Sequence, residues 1–460
     1  MEPAGFSLRE PGRTSTTEVG PGSSKMPQML PLIVPREAHS LSRRDVDPEA
    51  LKVLYRLKEA GFTAYIVGGG VRDLLLGRRP KDFDIGTDAH PYQVKKLFRN
   101  CFIIGRRFRL AHVRFGTKVV EVATFRRQVT EEEQAEAFAH AQAHEHAAAA
   151  GPEGGEPRHG GHDHLIHRDN TFGTAEEDAF RRDFTLNALF YDIATFSIID
   201  YVGGLEDLRA RVIRCIGDPV VRFREDPVRM QRAVSFAARL GFRIDPPVLD
   251  AIASERQRIA LAAPARLAEE YFKILRSGAA ERTFRELHRL GLLEPLSEVL
   301  HHQAGSALWA SLARLDAYRL GSEAPPAALT NGTLLGSLIV PLGFSQAGWP
   351  AWMEDGARPG LNLGVLPLAR RDVERIHQVL MLQRRLREPS RSSHARRMLM
   401  QRSAFADALT WLEIHGDAPE KLAYWREHGA SAEPAAGEAR PRRRRRGRRR
   451  PGFPSRRAPE

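Results

Sequence analysis

Two aspartates with one residue between them, Asp82 and Asp84 in the run KDFD, are the strongest candidates for chemistry in this chain. Residues two apart on a β-strand share one face, so the two carboxylates should project together while Phe83 points into the core. Carboxylates on one face repel unless a cation lies between them, and Mg²⁺ takes hard oxygen ligands while leaving positions for substrate phosphates. The pair therefore predicts a magnesium site, with a solvated acidic strand end as the alternative.

A glycine-rich turn precedes the aspartates. The apolar run Ala64–Val67 predicts a strand that ends at three consecutive glycines, residues 68–70, whose backbone can approach a ligand without interference from Cβ. Residues 71–76 predict a short helix that ends at Gly77, and the first N–H groups of such a helix favour an anion. Because the aspartates follow closely, the turn predicts a phosphate-binding loop; on its own, it would more often be an ordinary loop.

The flanking sequence predicts a small domain with an antiparallel or mixed sheet. Asp47 as N-cap and Pro48 at the first helical position predict a helix that leads into the strand before the glycines. A helix is predicted over 91–98, and strands over 102–104, 111–115 and 119–123. Glu121 stands among apolar residues in the last strand and could approach the metal site; an edge glutamate facing water explains it equally well.

A cluster of charged residues follows at Arg181, Arg182 and Asp183. They are predicted to lie on a helix over 178–189, followed by strands over 189–192 and 197–200. Arginine forks can hold a triphosphate, and an aspartate can accept a hydrogen bond from a ribose hydroxyl. In isolation, a surface ion-pair cluster is the simpler explanation of these three residues.

The run REDPVRMQRAVSFAARLGF predicts a helix with Pro227 at its first position and an end before Gly241. Asp226, Arg229 and Arg232 recur every three residues and should form a row on one face. A carboxylate that accepts from an exocyclic amine, beside an arginine that donates to the adjacent ring nitrogen, would select adenine or cytosine over guanine or uracil. An intrahelical ion pair is the alternative.

The positive charge is concentrated near residue 460. Of the formal charge of +13, residues 440–460 supply +10, from eleven Arg and one Glu, which leaves +3 for the other 439 residues. Like charges with nothing apolar to bury cannot pack, so residues 431–460 are predicted to form a disordered arm for RNA, with a solubilising tail as the alternative. The arginines predicted to bind RNA are Arg442, Arg443, Arg444, Arg445, Arg446, Arg448, Arg449 and Arg450.

Composition excludes several classes of protein. The two cysteines, Cys101 and Cys215, lack CxxC spacing, so neither a disulfide framework nor a structural zinc site is expected, and a cytoplasmic location fits best. No apolar run approaches the roughly 20 residues of a membrane span, and no secretion signal is expected. Residues 1–44 are predicted to be disordered. A flexible insertion is predicted over 128–168, which contains His140, His144, His146, His159, His162, His164 and His167.

Four motifs in order, GGGVRDLLLG, DFD, RRDFTLNAL and EDPVRMQRA, resemble the class II side of the tRNA nucleotidyltransferase and poly(A) polymerase superfamily over about residues 45–300. The runs PREAHSLSRRD and IIGRRFRLAHVRFG and the arginine tail are similar to its bacterial poly(A) polymerase branch. The resemblance implies an α+β nucleotidyltransferase head over 45–205, a helical nucleotide-selecting and RNA-binding neck over 206–300, and a helical body over 301–430. It also implies addition of AMP from ATP to RNA 3′ ends, which promotes RNA decay and suggests RNA-decay proteins as partners.

The resemblance further implies roles for individual residues. Asp82 and Asp84 would hold two Mg²⁺ ions, and Asp183 would be a third catalytic carboxylate or a ribose contact. The implied nucleotide contacts are Gly69, Gly70, Arg72, Arg181 and Arg182, and the implied base-selecting residues are Asp226, Arg229 and Arg232. Because adenine and cytosine share one hydrogen-bonding edge, a CCA-adding enzyme remains an alternative. A non-catalytic RNA-binding protein is a second alternative, which the intact aspartate pair disfavours.

Overall fold

A mixed β-sheet forms the frame of the first of two units, Met1–Glu374. The computed structural model describes residues 30–105, 109–127, 171–321, 329–343 and 363–430. Within these ranges the sheet has eight strands in the order β1-β8-β7-β2-β3-β6-β5-β4. The strands are β1 (Leu32–Val34), β2 (Ala64–Val67), β3 (Asp84–Thr87), β4 (Cys101–Ile104), β5 (Leu110–Phe115), β6 (Lys118–Thr124), β7 (Leu189–Asp192) and β8 (Ser197–Asp200).

Only one neighbouring pair in this described sheet, β3 and β6, is parallel; the other pairs are antiparallel. Strands β2 and β3 lie in the middle, and Val67 pairs with Asp84 at the end of their ladder. Apolar side chains such as Ile66 and Ile85 are fully buried beside these strands. The aspartate thus stands where a central strand begins, on a backbone that the core holds in place.

Short helices and one small second sheet complete the head. The helices are α1 (Pro48–Glu59), α2 (Gly69–Leu75), α3 (Pro91–Leu97), α4 (Ala175–Phe180) and α5 (Gly204–Ala210). The N-cap prediction for α1 is confirmed, because the Asp47 carboxylate accepts hydrogen bonds from the N–H groups of Glu49 and Ala50 at 2.9 and 3.3 Å. Strands β9 (Val212–Ile213) and β10 (Arg243–Ile244) form a parallel pair.

The rest of the first unit is helical in its described parts. Its helices are α6 (Pro219–Glu225), α7 (Val228–Leu240), α8 (Pro246–Glu255), α9 (Pro264–Leu275), α10 (Ala280–Arg289), α11 (Leu293–Leu296), α12 (Glu298–His302), α13 (Ser306–Gly321) and α14 (Asn331–Ile339). Helix α7 ends as predicted, because Gly241 adopts φ +73° and supplies the left-handed residue that closes a helix. An α+β head followed by a helical body confirms the predicted fold class.

Helices alone make up the described part of the second unit, Arg375–Glu460. Helix α15 (Arg370–Arg387) leads into it, and α16 (Ser393–Met400), α17 (Phe405–His415) and α18 (Pro419–Ala430) follow. The Trp425 ring is 1% exposed, packs edge-on against Phe405 and donates from its indole nitrogen to the Leu386 carbonyl at 2.9 Å. This unit therefore has an apolar core of its own.

The structure corrects two predictions about local structure. Residues 32–34 are not disordered, because β1 pairs with β8 at the edge of the sheet. The prediction of a helix over 178–189 was wrong at both ends. Helix α4 spans Ala175–Phe180, and Phe184 instead makes a β-bridge with Cys215. The buried Arg222 guanidinium donates hydrogen bonds to the backbone carbonyls of Arg181 and Arg182, at 2.7 and 2.6 Å. These bonds stabilise the end of α4.

Candidate active site

The glycine turn closes tightly around its neighbours. Gly68 has φ +70°, and a Cβ there would lie 2.8 Å from the Arg182 Nη1 atom. Only glycine therefore combines this backbone conformation with this close approach. Helix α2 begins directly at Gly69, two residues earlier than predicted, so both Gly69 and Gly70 lie in its first turn.

The two aspartates lie next to this turn. Asp84 is the first residue of β3 and Asp82 precedes the strand; both residues are exposed, and the Lys81 ammonium lies 3.8 Å from the Asp82 carboxylate. Phe83 does not enter the core as predicted; it is half-buried, and its ring lies against Gly70. Because the chain is not yet in the sheet at this point, strand alternation does not govern Phe83.

Glu121 brings a third carboxylate to Asp84. Parallel pairing places Ile85 opposite Val122, so Glu121 and Asp84 occupy corresponding positions on adjacent strands. Desolvation, then repulsion from Glu121 and Asp82, raises the pKa of Asp84 to about 6, while Arg182 opposes the shift. Glu121 is also exposed, and its carboxylate lies 3.5 Å from the His112 imidazole. Both sequence interpretations of Glu121 therefore hold: it faces water and it adjoins the aspartates.

These residues are suited to bind a hard divalent cation that also has water or substrate oxygens as ligands. Repulsion among the three carboxylates is what a cation relieves, and oxygen donors suit Mg²⁺. Within the described ranges, no group of three or more His, Cys, Asp and Glu side chains is close enough to hold a metal ion. A cation here would therefore complete its coordination with water and substrate oxygens, as Mg²⁺ commonly does.

The raised pKa of Asp84 predicts a pH-dependent stability in the absence of divalent cations. Folding raises this pKa from 3.8 to about 6, so the folded protein holds the proton more tightly and its unfolding free energy falls as pH rises through this window. Asp84→Asn should therefore be more stable than wild type at pH 8, by about 1 kcal/mol after allowance for solvent screening. The gain should vanish below about pH 4.

Urea unfolding in EDTA at the two pH values measures this difference. Asp250→Asn is the matched control, because Asp250 is exposed on α8 and has no hydrogen-bond or ion-pair partner among the described residues. A less stable Asp84→Asn protein at pH 8 would contradict the proposed repulsion.

Asp183 connects the segment after α4 to helix α7. Its Oδ2 atom accepts from Arg232 Nε at 2.8 Å and Nη2 at 2.7 Å, and its Oδ1 atom accepts from the Phe184 N–H at 2.9 Å and from Asn187 Nδ2 at 3.1 Å. Burial alone would raise the pKa of Asp183, but the Arg232 guanidinium and these hydrogen bonds hold it below its usual value. Asp183 is therefore an anion at neutral pH.

Asn187 connects Asp183 to the glycine helix. Its Oδ1 atom accepts from Arg72 Nη1 at 2.5 Å, and Arg72 is 2% exposed and also pairs with Asp73 at 2.7 Å. Arg72 therefore holds α2 against the Asp183 segment from inside the protein. Asn187 was not among the predicted site residues; its spacing of four residues from Asp183 was the available signal.

Arg182 also lies beside the turn, and Arg181 precedes it in the chain. Arg182 donates two hydrogen bonds to Asp178 Oδ2, at 3.1 and 2.9 Å, and one to the Asn187 carbonyl at 3.0 Å. Arg181 Nε lies 3.6 Å from Asp178 Oδ1. Both arginines thus share the Asp178 carboxylate, which orients Arg182 at the edge of the glycine turn.

Of the three residues predicted to form a base-selecting row, only Asp226 and Arg229 lie together. Asp226 and Arg229 lie close, at 3.9 Å, yet Asp226 pairs more closely with Arg266 at 2.7 Å, and Arg229 pairs with Glu225 at 2.7 Å. Arg232 points elsewhere and binds Asp183. The polar edges of Asp226 and Arg229 remain together at the start of α7, whereas Arg232 links α7 to Asp183.

Some predicted features lie outside the described residues. These are the histidine-rich insertion over 128–168, residues 1–29 of the segment predicted to be disordered, and the arginine tail over 431–460. Cys101 and Cys215 are both buried and unpaired with each other. In the described ranges, no helix combines the length and the apolarity that crossing a membrane demands.

The fold and the site resemble those of the poly(A) polymerase and tRNA nucleotidyltransferase superfamily, and two family models match separate segments of this chain. Residues 64–214 match the family model described as the poly A polymerase head domain. Residues 241–303 match the model described as the probable RNA- and SrmB-binding site of polymerase A. The predicted resemblance to this superfamily is thereby confirmed.

Among its relatives, this chain is similar to poly(A) polymerase I. It is 50% identical to that of Salmonella typhi over 264 residues, 57% of this chain and 53% of the relative. It is 36% identical to the CCA-adding enzyme of Lactobacillus helveticus over 230 residues, half of each protein. The chain thus spans about half the length of the curated relatives it matches. The crystal structure of the Bacillus stearothermophilus CCA-adding enzyme in complex with CTP is 28% identical, with a TM-score of 0.56 over 84% of this chain and 83% of that one.

Proposed function

We propose that this protein adds AMP from ATP to the 3′ ends of RNA without a nucleic-acid template. The observation that carries the proposal is the placement of Asp82, Asp84 and Glu121 next to one another, where partial desolvation and mutual repulsion raise the pKa of Asp84 to about 6. This group lies beside the glycine turn and within the matched head domain. A carboxylate cluster next to a phosphate-binding turn is the arrangement that nucleotidyl transfer requires.

The transfer is an in-line displacement at the α-phosphorus of ATP. The RNA 3′ oxygen forms a bond to that phosphorus, the bond to the bridging oxygen of the β-phosphate breaks, and pyrophosphate leaves. Asp82 and Asp84 would hold two Mg²⁺ ions, which would supply activation of the 3′ hydroxyl and neutralisation of charge on the triphosphate. The proton of the hydroxyl passes to solvent or to a nearby carboxylate.

The chain's own residues bind and orient the substrates. Gly69 and Gly70 let the triphosphate approach the backbone of α2, and Arg181 and Arg182 face it from the opposite side of the turn. Asp183 either contacts the ribose or acts on the reacting atoms; its ion pair with Arg232 holds it as an anion in both cases. Arg72, buried behind the turn, acts by holding α2 in place.

Asp226 and Arg229 provide the choice of base. An aspartate accepts from the adenine amine, and an arginine donates to the ring nitrogen beside it. Both side chains are pre-oriented, since Arg266 binds Asp226 and Glu225 binds Arg229. Selection of ATP over CTP by this pair is supported by the higher identity to poly(A) polymerase I than to the CCA-adding enzyme.

CCA addition is the second candidate function. It is favoured by the structural similarity to a CCA-adding enzyme, which extends over 83% of that protein's chain. Cytosine presents the same amine edge as adenine, so the base-selecting pair does not by itself separate the two activities.

One assay separates them. Purified protein is incubated with Mg²⁺ and a generic RNA, or with a tRNA that lacks its 3′ end, and ATP or CTP is supplied separately. We expect long A tails on both RNAs with ATP alone. Incorporation of CTP that stops after a few nucleotides on the tRNA would overturn the proposal in favour of CCA addition, and no incorporation at all would favour a non-catalytic protein.

The arginine tail should strengthen RNA binding through its charge. Deletion of residues 440–460 removes eleven arginines, so fewer counterions are released on binding, and the affinity for RNA should fall and depend less steeply on salt. The control is a tail of equal length with serine in place of arginine. An unchanged slope of log Kd against log salt would instead assign the tail to solubility. RNA-decay proteins as partners and a cytoplasmic location remain predictions from the sequence.

A further inference from the structure

Three arginines surround one aromatic ring on α7. The guanidinium carbons of Arg72, Arg232 and Arg239 lie 5.4, 5.2 and 5.2 Å from the centroid of the half-buried Phe236 ring. Arg72 comes from the glycine helix α2, and the other two come from α7, which begins beside the base-selecting pair. The ring therefore lies between two helices that both serve the proposed reaction.

Two of these arginines already form ion pairs with carboxylates of the protein. Arg72 pairs with Asp73 at 2.7 Å and Asn187 at 2.5 Å, and Arg232 pairs with Asp183 at 2.7 Å and with Glu270 at 3.1 Å. These carboxylates hold the two guanidiniums in fixed positions, so their donors are occupied by the protein.

Arg239 differs from them. Within the described parts of the chain its guanidinium has no hydrogen-bond or ion-pair partner, and it lies over the Phe236 ring. Its side chain reaches solvent, yet the surrounding protein and the charges of Arg72, Arg78 and Arg232 lower its pKa to about 10. Asp73 is the acidic group that opposes this shift, and it is already bound to Arg72.

This environment favours a bound anion. Repulsion among neighbouring guanidiniums is relieved when an anion joins them, and the fork of Arg239 matches the oxygens of a phosphate. The aromatic ring beneath it orients the guanidinium before a ligand arrives. Arg78 adds to the local charge and donates to the carbonyls of Arg239 and Leu240, both at 3.4 Å, which links the segment before Asp82 to the end of α7.

We propose that Arg239, supported by Phe236, binds a phosphate group of a substrate at the edge of the active site. The inference rests on the proposed function, since ATP and the RNA strand are the two sources of phosphate in that reaction. Arg72 and Arg232 shape this subsite and contribute positive electrostatic potential, while Arg239 contacts the phosphate group.

Binding without chemistry tests the proposal. The probes are inorganic tripolyphosphate, for the nucleotide, and a 15-nucleotide oligo(A), for the RNA backbone, each titrated against the full chain. Arg239→Ala should weaken one of them by about ten-fold, the usual loss for a hydrogen-bonded ion pair at a partly exposed site. Arg239→Lys should recover part of the affinity, because it keeps the charge without the fork, and Phe236→Leu should lose less than Arg239→Ala.

The matched control is Arg209→Ala, which removes one exposed arginine of α5 that has no hydrogen-bond or ion-pair partner among the described residues. A loss confined to tripolyphosphate assigns the subsite to the nucleotide. A loss confined to oligo(A), with a salt slope lower by about 0.7, assigns it to the RNA, and a loss for both assigns a shared subsite. Equal affinities for Arg239→Ala and Arg209→Ala, with both probes and unchanged thermal unfolding, would overturn the proposal. Failure of the wild-type protein to add AMP would refute the proposed function alone.

Discussion

Asp82→Ala and Asp84→Ala should each reduce AMP addition by at least about 10³-fold, because each removes a carboxylate proposed to hold the catalytic cations, whose effect on the transition state is several kcal/mol. Binding of oligo(A) should stay within about two-fold of wild type, since an aspartate repels rather than attracts the phosphate backbone. Initial rates of AMP incorporation and a parallel RNA titration measure the two effects. The separation of rate from affinity distinguishes a catalytic loss from unfolding.

The control for both variants is Asp250→Ala, on the exposed face of α8, which should retain the wild-type rate. Glu121→Ala provides a graded comparison, because Glu121 adjoins Asp84 but is itself exposed. Full activity of Asp82→Ala or Asp84→Ala at saturating Mg²⁺ would refute the assignment of these carboxylates, and weakened RNA binding in proportion to the rate would point to a folding defect.

Asp183→Ala should cost both stability and activity. It removes the carboxylate that Arg232 contacts at 2.7 Å and leaves this largely enclosed guanidinium with Glu270 alone. Loss of one partner from a buried ion pair costs about 3 kcal/mol. The same change releases Asn187 and thereby Arg72, so the glycine helix should shift and the KM for ATP should rise along with a fall in kcat.

The stabilisation that Asp183 gives the folded protein should decrease in acid. The pKa of Asp183 is held below 3.8 in the folded protein, so its stabilisation is fully present above that value and is lost as the pH falls through the lower, folded pKa. The difference in unfolding free energy between wild type and Asp183→Ala should therefore be constant from pH 6 to pH 8 and shrink in acid. Asp183→Asn is the matched variant, because it keeps the size and one acceptor while it removes the charge. If Arg232→Ala and Asp183→Ala were additive in a double-mutant cycle, the ion pair would not be the source of the effect.

Much of the glycine turn and its neighbours could be predicted from local sequence. The caps of α1 and α7, the strand before the glycines and the hairpin strands that follow depend on near neighbours in the chain: Asp47 binds the N–H groups of the next helical turn, and Gly241 takes a backbone conformation that other residues resist. Such short-range preferences act on any fold in which the segment is placed. The candidate residues themselves were therefore identified by type and spacing.

Their partners were decided by the tertiary structure. Asp84 meets Glu121 because β3 and β6 pair in parallel, Asp183 meets Arg232 across 49 residues, and Arg72 meets Asn187 across 115. The end of α4 at Phe180 likewise depends on Arg222, 40 residues away from the carbonyl of Arg182 that it binds. The sequence alone determined which groups could bind metal, phosphate and base. Only the folded chain determined which charges oppose one another and which are neutralised, because Coulomb forces and hydrogen bonds depend on distance in space and not on separation along the chain.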